Sequence, residues 1–204
     1  MLSCFQGPTN IVFQKILKFF VKQNSLILDM TYGRGLSWQD IQEKYNLTKV
    51  DKRKLFDDVI KSDFKDYLKE IKDSSFDCLY FDPPYYFKEK IKNFNIKDLM
   101  LNHDEEVFWT EKEFRESLEI LKKEVPRILK DRGIFIVKIM DGYIGKEYYP
   151  NAFEIFNIFT NIMIPRGIFI CPIQRKDTII HFIRENHIYY IVFQKEEIKN
   201  GKST

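Results

Sequence analysis

The feature that most constrains this chain is the run Ser75-Phe76-Asp77-Cys78-Leu79-Tyr80-Phe81-Asp82-Pro83-Pro84-Tyr85. Cys78 to Phe81 is apolar, β-prone and the length of a buried strand. Pro83 stops that strand, because a proline has no N–H to extend the ladder. Asp82 is therefore left at the carboxyl end of the strand, followed by two rigid residues and an aromatic ring. In an open α/β sheet that edge is where ligands bind. The bland alternative is a rigid turn after a strand.

Earlier in the chain, Ser25 to Met30 reads as the first strand, running into Asp29-Met30-Thr31-Tyr32-Gly33-Arg34-Gly35. Two glycines bracketing one residue allow a tight turn and a close backbone approach to a ligand. Ser37 to Tyr45 predicts a short helix with Ser37 as its N-cap. A dinucleotide-binding loop requires a third glycine three residues after the second. Trp38 stands there, which argues against NAD, and no Gly-Lys-Ser/Thr ending marks a phosphate loop.

Leu47 to Asp51 predicts a second strand ending in an acid about twenty residues after the first loop, where a carboxylate can accept from two ribose hydroxyls. The alternative is an exposed Asp in the charged turn before Lys52-Arg53-Lys54. Asp57 to Ile60 predicts a third strand leading to Ser62-Asp63-Phe64. Phe64 to Ile71 reads as a helix, with Asp63 suited to cap it and Phe64 to face its core side.

The remaining segments follow from period and punctuation. Ile11 to Lys22 has apolar residues at helical spacing. Tyr86 to Glu113 has no clear period and mixes Lys88, Lys90, Lys92 and Lys97 with Tyr86, Phe87 and Phe94. We expect residues 86–113 to be a mobile substrate loop, touching phosphate and unstacked bases, or a solvated loop. Phe114 to Leu129 predicts a helix bent near its end by Pro126 and stopped at Asp131-Arg132-Gly133. Ile134 to Met140 is a strand interrupted by Lys138, Asn151 to Ile162 a helix, and Gly167 to Ile173 and His187 to Gln194 the last two strands.

Composition excludes rather than identifies. A chain of 204 residues suits one domain, 1–204. Its 33 Lys and Arg are offset by 30 acids, so a net charge of +3 does not by itself mark a nucleic-acid binder. Cys4, Cys78 and Cys171 lack metal-ligand spacing, His103, His181 and His187 are scattered, and we expect no metal site. No apolar run reaches the roughly 18 residues of a membrane span, and no signal peptide is visible, so we expect a cytoplasmic protein with reduced thiols and no membrane partner.

The ordered set of the glycine loop, Asp51, Asp63, Asp82-Pro83-Pro84-Tyr85 and the closing run His187 to Lys195 resembles the S-adenosylmethionine-dependent amino methyltransferases of nucleic-acid bases. The resemblance spans about Phe5 to Lys195 and implies a Rossmann-like class I methyltransferase fold. That is an α/β architecture with a mostly parallel seven-stranded sheet, an antiparallel last strand and helices on both faces. It implies S-adenosyl-L-methionine as cofactor, with Asp29, Thr31, Gly33 and Gly35 at its amino-acid part and Asp51 at the ribose. Asp63 and Phe64 would lie at the adenine, and Pro8 and Thr9 near the methionine end, although Gly7 replaces the lysine common in the family. Asp82, Pro83, Pro84 and Tyr85 become catalytic.

An aspartate opening the motif is associated in that family with adenine N6, so DNA adenine is the favoured target. RNA bases, including those of transfer RNA, are the nearest alternative, and an inactive cofactor-binding subunit is another. Only about fifty residues separate Asp29 from Asp82, which leaves no room there for a target-reading domain. Target reading then falls to residues 86–113, to a second copy in a homodimer or to a specificity partner.

Overall fold

The computed structural model describes residues 3–84, 109–144, 147–172 and 187–197. Seven strands form one sheet: β1 (Leu26–Asp29), β2 (Asn46–Asp51), β3 (Ile60–Lys61), β4 (Phe76–Phe81), β5 (Leu129–Ile139), β8 (Ile164–Pro172) and β9 (His187–Gln194). A separate hairpin joins β6 (Gly142–Ile144) and β7 (Glu147–Tyr149). The sheet order is β3-β2-β1-β4-β5-β9-β8. In this sheet β9 runs antiparallel to both its neighbours, and every other pairing is parallel. The chain thus has the expected mixed sheet, with the order reversing between β1 and β4, where such sheets open a crevice.

The strands are apolar on both sides because both faces are covered. Ile27, Cys78, Tyr80, Ile134, Ile136, Tyr190 and Val192 point to one face, where α1 (Thr9–Phe20) packs Val12, Phe13, Ile16 and Leu17. Leu28, Leu79, Phe81, Phe135, Val137, Ile191 and Phe193 point to the other. That face is covered by α2 (Phe64–Glu70), α3 (Glu111–Ile128) and α4 (Asn151–Thr160). Phe135, Phe159 and Phe193 meet there with ring centroids 4.9 to 6.2 Å apart. Burying each such ring contributes about 1.5–3 kcal/mol.

Several expectations need correction. The helix foreseen over Ser37 to Tyr45 is two single 3-10 turns, Leu36–Trp38 and Gln42–Lys44, and the first is capped by Gly35 rather than Ser37. The third strand has only two residues, both exposed, because Asp57 and Asp58 precede it in a polar turn. Gly133 does not stop a helix: α3 passes directly into β5 at Leu129, and Arg132 takes the left-handed φ of 62° in a bulge of that strand.

Residues 85–108 lie outside the described residues, and the end of the expected loop, from Trp109, lies within them. Trp109 is buried, and Thr110 and Glu113 form a reciprocal capping box that starts α3 before Phe114. Its Thr-x-x-Glu spacing was available as a signal. No helix among the described residues is long and apolar enough to cross a membrane.

Candidate active site

Each strand that ends at the carboxyl edge delivers a polar residue there. Asp29 closes β1 and is 1% exposed. Its Oδ1 accepts the Thr31 N–H at 2.9 Å, and its Oδ2 accepts the indole N–H of Trp38 at 2.6 Å. Burial pushes its carboxyl up to about 7 although both bonds lower it, and the Asp82 and Asp51 carboxylates add to the rise. A raised acid stabilises the fold fully below its unfolded value near 3.8, and that contribution is lost as pH rises through about 7. The stability of the wild type relative to Asp29→Asn is therefore expected to fall between about pH 4.5 and about pH 7.5, measured by urea unfolding. An offset that stays constant over that window would contradict the burial effect.

The loop after β1 turns through Gly33 (φ 54°) and Gly35 (φ 69°), both in the left-handed region that favours glycine. A Cβ at Gly35 would meet the Tyr32 hydroxyl at 2.5 Å, so this turn also has no space for a side chain. The Gly33 N–H donates to Asp51 Oδ2 at 2.7 Å, tying the loop to the end of β2. Asp51 Oδ1 accepts from the Arg53 N–H at 2.9 Å and its Nε at 3.2 Å. Asp51 is thus a nearly buried acid at the loop and not an exposed residue in a charged turn.

Asp82 follows β4. Its backbone N–H donates to Thr31 Oγ1 at 2.8 Å, joining the glycine loop to the Asp-Pro-Pro motif. Its Oδ2 accepts from Lys138 Nζ at 2.7 Å and, more weakly, from the Tyr80 hydroxyl at 3.4 Å. Tyr80 in turn shares a hydrogen with Ser37 Oγ at 3.0 Å. Pro83 is buried and Pro84 half-buried. Tyr85 lies outside the described residues.

The amino-terminal segment reaches the same edge. Gly7 takes φ 133°, Pro8 occupies the N-cap of α1, and the Thr9 carbonyl accepts the Tyr190 hydroxyl at 2.8 Å. Asp63 caps α2 by accepting the Lys65 N–H at 3.0 Å, and Lys52 Nζ lies 3.1 Å from its other oxygen. Phe64 is a correction. Its ring is 2% exposed, stacked on Trp109 at 5.8 Å and tilted on Phe81, which makes it a core residue. Its position at the start of an amphipathic helix sends it inward.

Asp29, Thr31, Gly33, Gly35, Asp51 and Asp82 are thus brought together, with Pro8 and Thr9 alongside through Tyr190. Sequence reasoning missed Trp38, Tyr80, Ser37 and Lys138 as parts of this network. Lys138 had a signal: it shares the parity of Ile134 and Ile136 on a buried strand, so its charge requires a partner. Trp38 replaces the third glycine of a dinucleotide loop, and its indole fills that space while holding Asp29. Elsewhere, a concavity of about 650 Å³ lined by residues including Asp66, Lys69, Arg115 and Glu154 lies between α2, α3 and α4. Asp66 pairs with Lys69 and Arg115 with Glu154 there, and its lining includes no residue of the β4 end.

No family model matches the chain, and no curated protein does. Solved structures do. The N-methyltransferase NodS from Bradyrhizobium japonicum WM9, in complex with S-adenosyl-L-homocysteine, aligns with a TM-score of 0.55 and 12% identity over 92% of this chain and 87% of that chain. A SAM dependent methyltransferase from Archaeoglobus fulgidus gives 0.54 and 16% over 93% and 95%. A protein from Thermus thermophilus, provisionally named a DNA modification methylase, gives only 0.45 and 16% over 65% of this chain. The match spans 50% of that protein's length, and it carries no argument here. At these identities the likeness is one of fold: the chain has the Rossmann-like class I methyltransferase architecture.

Proposed function

We propose that this chain is an S-adenosylmethionine-dependent methyltransferase that alkylates an exocyclic base amine, with adenine N6 in DNA as the favoured target. The observation that carries the reading is the Thr31–Asp82 hydrogen bond, which joins a left-handed glycine loop to an Asp-Pro-Pro motif at the sheet's ligand edge. The donor set fits the cofactor. Gly33 and Gly35 keep side chains off the turn, so that backbone approaches the amino-acid part, and Asp29 and Thr31 hold the shape of that turn.

Asp51 accepts from the ribose hydroxyls, Asp63 from the adenine amine, and the Pro8–Thr9 segment borders the methionine end. When bound, the cofactor supplies an electrophilic methyl group. The chain's own task is then to prepare a poor nucleophile, since the lone pair of a base amine is delocalised into the ring. Asp82 and the Pro83 carbonyl accept its two N–H groups and draw the nitrogen toward a tetrahedral form. Pro84 keeps the motif rigid, Tyr85 stacks on the extruded base, and Asp82 takes the proton released on transfer.

Labelled S-adenosylmethionine offered with duplex DNA, single-stranded DNA and total RNA, followed by nucleoside mass spectrometry, tests this. N6-methyladenine in DNA is expected. Label confined to RNA moves the target to RNA bases, and cofactor binding without transfer identifies an inactive subunit. For the cofactor site, Asp51→Ala is expected to weaken binding by about 1–3 kcal/mol, roughly 5- to 150-fold in Kd by calorimetry. An unchanged Kd would remove Asp51 from that site.

A further inference from the structure

We infer that Lys138 is the positioning residue of the Asp82 carboxylate, holding one of its oxygens in the orientation that accepts the target amine. The role in turnover rests on the methyltransferase reading above; the charge coupling rests on geometry alone. Lys138 lies one position beyond Val137, which pairs in parallel with Phe81, so it stands beside Asp82 on the face that α1 covers. The two side chains are only 13% and 21% exposed and meet at 2.7 Å.

Other ionisable groups surround the pair. Asp29 on β1 and Asp82 act on each other as like charges, with Asp51 on β2 beside Asp29. Tyr80 approaches Asp82 from its own strand, and Tyr190 faces it from β9. Cys171 on β8 faces Lys138. From α1, Phe13 covers Tyr80 and Tyr190 with an apolar ring. The Lys138 ammonium fixes Oδ2 of Asp82, while Thr31 fixes the backbone of the same residue.

A merely structural pair behaves differently. Replacing one partner of a part-buried ion pair then changes folding stability but leaves kcat of the folded enzyme where it was. The test is kcat and cofactor KM for the wild type, Lys138→Met and Lys138→Arg, using whichever nucleic acid accepts the methyl group. In Lys138→Met kcat is expected to fall at least about tenfold while the cofactor KM stays within about twofold, and Lys138→Arg is expected to restore kcat. An unchanged kcat in folded Lys138→Met overturns the inference.

Should the wild type itself transfer no methyl group, the base-methylation reading fails separately. Lys138 is then judged by the ¹³C carboxyl resonance of Asp82, assigned against Asp82→Asn. A resonance displaced in Lys138→Met sustains the contact, and an unchanged one ends it.

Discussion

Asp82→Ala is expected to lower methyl transfer by about 10²–10³-fold, or about 2.7–4 kcal/mol, the effect of deleting one preorganised group from a transition-state contact. Asp82 is suited to so large an effect by its surroundings. Its backbone is held by Thr31, its Oδ2 by Lys138 and Tyr80, and it is followed by two prolines that leave it little freedom. Cofactor affinity is expected to change little, because Gly33, Gly35 and Asp51 do not depend on this carboxylate for their geometry. Single-turnover transfer and calorimetry on the same variant separate the two. Turnover equal to the wild type would sink the catalytic role of Asp82. Loss of cofactor binding alongside turnover would recast it as a scaffold for the loop.

Trp38→Ala is expected to lower the unfolding free energy by about 3–5 kcal/mol, a large fraction of the 5–15 kcal/mol of an ordinary domain. Trp38 is 1% exposed and packs edge-on against Phe13, Tyr45 and Tyr80. Two losses add in this variant: a large cavity, and an Asp29 oxygen deprived of its 2.6 Å donor. Trp38→Phe narrows the question, since its smaller phenyl ring keeps part of the packing and has no N–H. It is expected to cost about 1–3 kcal/mol. Urea unfolding followed by far-UV circular dichroism measures both without relying on tryptophan fluorescence. A Trp38→Phe protein as stable as the wild type would mean that the indole bond contributes nothing to the loop.

The sequence by itself made the strand-length apolar runs, the helical periods and the carboxyl-edge acids legible, and its resemblance to the base amino methyltransferases supplied the sheet architecture. Asp29, Asp51 and Asp82 were legible because each ends or follows such a run, and chain order alone places them on the same edge. Glycine turns were legible because left-handed backbone is a local property.

What only the tertiary structure decided are the partnerships between distant segments. Phe64 read equally as a ligand contact and as core until Trp109 and Phe81 enclosed it. The Ser37–Tyr45 helix failed because Asp29 draws Trp38 inward and Tyr80 takes the Ser37 hydroxyl. Gly133 became part of a bulge because β5 pairs with β4 from Leu129 onward. Lys138 interrupted a strand with no visible reason until that same pairing set it against Asp82. Local propensity fixes backbone segments residue by residue, whereas a buried charge is satisfied by whichever strand the sheet order brings beside it.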